Sequence, residues 1–219
     1  MATLLPPLED LLGPLPTATG NGADLAIHES AANVHPYSAG DLAPTDGRIR
    51  VSEAFDDPAA IALPLARTWF GPASPIDSPW LREGLAAWVA YDVLGQPCPA
   101  PAPYPQAAPD HYGDPDLDGR WYMPSAATPQ RGWDYWDWQH STACGVVRDA
   151  ADIIGPEAMS AVIAQLTNGP DEATVGAWVA ALSAHEPPAG PSVADILAAD
   201  FAAAGIDSPP AVIEPVALD

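Results

Sequence analysis

Apolar residues three and four positions apart recur along most of the chain. Asp57 is an N-cap candidate and Pro58 suits the first helical position. Ile61, Leu65 and Trp69 follow at steps of four until Gly71-Pro72 stops the pattern. Pro64 lies inside it and lacks a backbone donor, so a kink is expected there. Ser78-Pro79 opens a second helix that runs to Leu94 before Gly95. Leu81, Leu85, Trp88 and Val89 share one face, and Trp80, Gly84, Ala87, Tyr91 and Leu94 share the next. A helix apolar over that much of its circumference belongs at the centre of a fold.

Four more helices are expected downstream. One begins near residues 136–139 and ends at Ile154. One follows Gly155-Pro156, with Met159, Val162, Ile163 and Leu166 on a single face. One covers 171–184 with Val175, Trp178, Val179 and Leu182. The last is opened by a Ser192/Asp195 capping box ahead of Ile196, Leu197 and Phe201. Two short strands are expected near Leu25 and Arg48, the second alternating as Arg48/Ile49/Arg50/Val51. Residues 1–20 read as a proline-interrupted lead, 97–109 as a polyproline-like surface segment, and 206–219 as a loose tail. A single domain over 21–205 remains. The expected class is α+β, mainly helical, with the two central helices under a small sheet and a helical region after them.

With 219 residues and 48% hydrophobic composition, the chain can bury a core despite a net charge of −22. All seven cations are arginine, against 29 acids, which leaves no basic stripe for a phosphate backbone or an anionic membrane surface. Nucleic-acid and membrane partners are therefore not expected. The start has no signal-peptide pattern and no apolar run approaches the roughly 20 residues of a span, so the expected location is cytoplasmic. The preference for Ala, Pro and Arg over Lys fits a GC-rich bacterial genome, and salt adaptation would leave a similar mark. Cys98 and Cys144 form no CxxC, and buried free thiols are favoured over a single disulfide.

Most local clusters of reactive residues have a plain structural explanation. Asp114, Asp116 and Asp118 alternate as in a calcium loop, but the downstream Glu of an EF-hand is missing. His28, Glu29 and His35 lack one-turn helical spacing and read as surface residues. His111, His140 and His185 are isolated, as capping or surface residues would be. Cys144 follows His140 by one helical turn, and a packing role is favoured over an ion pair for it. No GxSxG is present.

Two segments are more specific. LPLARTWFG (63–71) and WLREGLAAWVAY (80–91) resemble the paired zinc-binding helices of gluzincin metallopeptidases of the aminopeptidase-N type. In that family the first helix reads HExxHxWFG and the second WLxEGxAxY or similar. The resemblance extends over residues 56–166. It implies that Leu63 and Arg67 stand where two histidine ligands belong, that Pro64 stands where the general base belongs, and that Glu83 alone keeps its ligand position. Two histidines one turn apart are what aim both imidazoles at one zinc, and an adjacent glutamate activates the bound water. Without them no catalytic residue, metal or other cofactor is expected. The family's transition-state tyrosine would correspond to Tyr135 or, second, Tyr122. Together with Trp133, Trp136 and Trp138 these rings either line a cleft for peptide or sugar or plug the core.

The resemblance thus implies a zinc-free pseudopeptidase domain that binds or scaffolds a peptide or protein. A hydrolase with a relocated or unconventional metal site is the alternative, and a helical interaction domain unrelated to peptidases is the third. Losing the metal would leave Glu83 uncompensated. Arg67, with its planar fork of donors, is expected to form a salt bridge with it.

Overall fold

The computed structural model describes residues 4–14, 26–30, 48–52, 59–70, 75–76, 78–103, 130–168 and 173–204. Among these are seven helices: α1 (Leu5–Leu12), α2 (Ala59–Ala66), α3 (Pro79–Val93), α4 (Gln130–Ile154), α5 (Pro156–Asn168), α6 (Val175–Ser183) and α7 (Val193–Ala203). Two strands, β1 (Ala26–Ser30) and β2 (Arg48–Ser52), pair in parallel with Ala26 opposite Arg48. Apart from an isolated bridge between Ile76 and Ala173, this ribbon is the only extended pairing among the described residues.

The α+β expectation is overturned, because the fold is all-α. Two five-residue strands make no layer for helices to pack beneath. The helices instead bury their apolar faces against one another.

α3 is the axis of the bundle. Every residue from Glu83 to Ala90 is buried, between α2 on one side and α4 on another. Ser78 and Pro79 open the helix as their chemistry suggests, with Ser78 extended at the N-cap. At the other end Gly95, at φ +62°, donates to Asp92, while the Gln96 N–H reaches back to Tyr91. That is a Schellman stop, and its left-handed position favours glycine. Trp80, at the start of α3, meets Trp178 of α6 and Phe201 of α7 edge-on, with ring centroids 5.8 and 5.3 Å away. Gly84 lets α4 come close: a Cβ there would lie 2.7 Å from the Ala143 carbonyl oxygen.

Four further local expectations need correction. Residues 1–20 contain a docked helix: Pro6 and Pro7 sit in the first turn of α1, where the missing N–H groups cost nothing, and Leu4, Leu8 and Leu12 are buried. The helix through Pro64 ends at Ala66 and tightens into three-residue turns, with Thr68 donating to Leu65, Trp69 to Ala66 and Phe70 to Arg67. Asp57 and Pro58, read as its start, lie outside the described residues. α4 starts at Gln130, earlier than expected, so the tryptophan-rich stretch is helical rather than a loop before a helix. Finally, Cys98 and Cys144 are joined in a disulfide that ties the proline-rich strand after α3 to the middle of α4. No helix among the described residues is long and apolar enough to cross a membrane.

Candidate functional site

Arg67 leaves the tightened end of α2 and faces Glu83 on the buried side of α3. Its Nε donates to Oε2 at 2.9 Å and its Nη2 donates to Oε1, a two-pronged match of guanidinium to carboxylate. Both side chains are close to fully buried, at 11% and 9% exposure. From α4, the buried His140 brings Nδ1 to 3.1 Å from the same Oε1. An ionised carboxylate only accepts, so Nδ1 carries the proton in this contact. The imidazole is stacked on Trp136, one turn earlier, at 4.7 Å and 10°.

Electrostatics follow from these contacts. Burial by itself pushes the Glu83 carboxyl upward. The Arg67 charge, hydrogen bonds from His140 and Arg67, and the His140 charge together outweigh it and bring the pKa from 4.5 down to about 2. Glu83 is therefore a fixed anion at any physiological pH. Its polar partners among the described residues are Arg67 and His140.

Such a centre is chemically quiet. Leu63 and Pro64, at the positions of a ligand and the base in the gluzincin resemblance, are buried apolar residues of α2. No group of three or more His, Cys, Asp or Glu side chains able to hold a metal occurs among the described residues. The guanidinium occupies both carboxylate oxygens, so a cation approaching Glu83 would first have to displace a permanent positive charge.

The structure brings Arg67 and Glu83 together and adds His140, which the sequence left as an isolated histidine. Its partner lies 57 residues away, a distance no local spacing reveals. The available signal was Trp136 one turn before it, an aromatic pair that puts the imidazole on the apolar side of α4. Tyr135, Trp136 and Trp138 are all buried in α4, with the Tyr135 and Trp138 rings 5.4 Å apart. Trp138 also lines a cavity beside the proline-rich strand. Tyr122, His35, His111, the aspartates of 114–118 and the side chains of Trp133, His28 and Glu29 lie outside the described residues. His185 is exposed just past α6. Cys144, in its disulfide, has no thiol to act as a nucleophile.

Comparison of the chain with protein-family models, with curated proteins and with solved structures finds no match.

Proposed function

We propose that this chain is a non-catalytic, zinc-free metallopeptidase-like helical domain that serves as a binding or scaffold module for a peptide or protein. The observation that carries the proposal is the environment of Glu83. The one carboxylate that the WLREG resemblance assigns to a metal is bonded to the Arg67 fork and to His140. A permanent cation in the position of a metal removes both the Lewis acid and the activated water on which zinc hydrolysis depends.

The proposed location rests on a second observation. A disulfide between the proline-rich segment and a central helix supports an oxidising compartment over the expected cytoplasm.

The test is metal content and activity together. Purified protein dialysed against zinc is expected to retain no stoichiometric metal and to cleave neither aminoacyl nor peptide substrates. One zinc per chain, with cleavage that a chelator abolishes, would overturn the proposal. Recovery of zinc binding by the combined changes Leu63→His, Pro64→Glu and Arg67→His would support the peptidase-like ancestry separately from present activity.

A further inference from the structure

A cavity of about 390 Å³ opens on the side of α4 away from the tightened end of α2, between the proline-rich strand and the end of α7. Trp138, Thr142 and Val146 of α4 contribute to its lining, with Ala102 of the strand on one flank and Ala203 and Ala204 of α7 on the other. Its wall is held in place before any ligand arrives. The Cys98–Cys144 disulfide fixes the strand to α4, and the Ala102 N–H donates to Ser141 Oγ at 2.9 Å.

One end of this mostly apolar space is charged. Arg148 is committed to its neighbour Asp149, with Nε and Nη2 2.8 and 2.6 Å from the same carboxylate oxygen. Asp200 from α7 comes beside that pair and adds a second negative charge, which Arg148 offsets only in part. Its Oδ2 is buried and has no hydrogen-bond partner among the described residues. The last turn of α7, which ends at this cavity, carries no basic residue, so the C-terminal end of the helix dipole adds further negative potential. Burial, the Asp149 charge and a hydrogen bond with the Asp149 carboxyl raise the Asp200 pKa from 3.8 to about 6, and the Arg148 charge offsets only part of that rise.

We propose that this cavity binds an organic ammonium group carried on a compact apolar body, with the ammonium on Asp200 and the body against Trp138, Val146 and Ala102. A cation with N–H donors balances the second carboxylate, which Arg148 offsets only in part, and gives Oδ2 a partner in the same contact. An anion would meet like charge. A divalent metal would find two carboxylates, one of them already bonded to Arg148, and few further ligands. The volume lies at the small end of ligand sites, suited to one ring or a dipeptide rather than a folded partner. This inference does not depend on the peptidase resemblance.

Free amines and peptide N-termini present the same chemistry, and titration calorimetry on the intact, disulfide-bonded chain separates them. The probes are 2-phenylethylamine, its alcohol analogue 2-phenylethanol, and Phe-Gly amide with a free or an acetylated N-terminus. At least one of the two ammonium compounds is expected to bind at least tenfold more tightly than its neutral analogue. Preference for the free amine identifies a small-amine site, and preference for the free dipeptide identifies a peptide N-terminus site. Asp200→Asn, nearly isosteric, should weaken the ammonium probe at least tenfold and leave the neutral one unchanged. Equal binding of charged and neutral analogues, no binding of either ammonium compound at millimolar concentration, or undiminished binding by a folded Asp200→Asn variant would each overturn the proposal. The first two outcomes use the unmodified protein, so failure of the variant to fold cannot shield it.

Discussion

Two carboxylates in this molecule have moved in opposite directions, and the more deeply buried one is the more acidic. Glu83 is enclosed between helices, yet its pKa falls to about 2. Asp200 is only partly buried at a cavity edge, yet its pKa rises to about 6. Burial pushes both upward, so burial does not explain the contrast. What differs is company. Glu83 receives a guanidinium fork and an imidazole N–H, whereas Asp200 receives the field and a hydrogen bond of another carboxylate, with Arg148 offsetting only part of the charge. A compensated buried charge is a structural fixture, and an under-compensated one at an opening is a receptor for something positive.

Breaking the compensated site should have the largest effect. Arg67→Ala strands a buried glutamate and is expected to destabilise the fold by about 3–5 kcal/mol. The double change Arg67→Met/Glu83→Leu removes both charges and should cost less than the single one, even though His140 then loses its acceptor. Urea unfolding of the two variants decides the matter. A double variant as unstable as Arg67→Ala would mean that Glu83 does not depend on its cation.

A smaller effect should come from the backbone that brings α3 and α4 together. At Gly84 a new Cβ would lie 2.7 Å from the carbonyl oxygen of Ala143 and 3.0 Å from Cγ2 of Val147. A backbone oxygen in the middle of a long helix cannot swing aside as a side-chain tip can. Gly84→Ala should therefore force the helices apart and cost roughly 1–3 kcal/mol, with loss of the His140–Glu83 contact. Denaturant unfolding gives the energy, and the His140 ring resonances give the contact. Unchanged stability with an unchanged histidine environment would mean that the close helix approach does not hold the cluster together.

How much of this could be read from the chain depended on the range of each interaction. The limits of α3 were legible, because Ser78-Pro79 and Gly95 act on their own immediate backbone. The pairing of Arg67 with Glu83 could be argued because two motif fragments, WFG and WLREG, suggested facing positions on neighbouring helices. α1 was missed because prolines that break a helix interior are harmless in its first turn, and local sequence does not say which turn they occupy. The start of α4 was missed because Asp134 and Asp137 interrupt its apolar run while Tyr135, Trp136 and Trp138 are all buried. Strand-like segments near Leu25 and Arg48 suggested a sheet, but nothing in two short runs reveals that no third strand joins them among the described residues. The disulfide spans 46 residues, and the Asp149–Asp200 approach joins two helices that are not consecutive. Contacts of that kind depend on the tertiary arrangement, and no periodicity encodes them.

The smallest effect, and the one that tests the contrast most directly, is the pH dependence of Asp200→Asn. The raised carboxyl retains a proton in the folded chain between pH 3.8 and about 6, where the unfolded chain has already released it. The folded state then binds more protons, so this group makes stability fall as pH rises through that window and holds it down above pH 6. Glu83 has the reverse sign: its contribution is present above pH 4.5 and is lost as pH falls toward about 2. Asn cannot ionise, so Asp200→Asn should match the parent protein at pH 4 and exceed it at pH 7. The gain should stay within about 1 kcal/mol, since partial exposure lets solvent screen the Asp149–Asp200 repulsion. Urea unfolding at the two pH values measures it. A stability difference of the same size at both would mean that Asp200 acts through its packing rather than its charge, and would remove the electrostatic distinction between the two carboxylates.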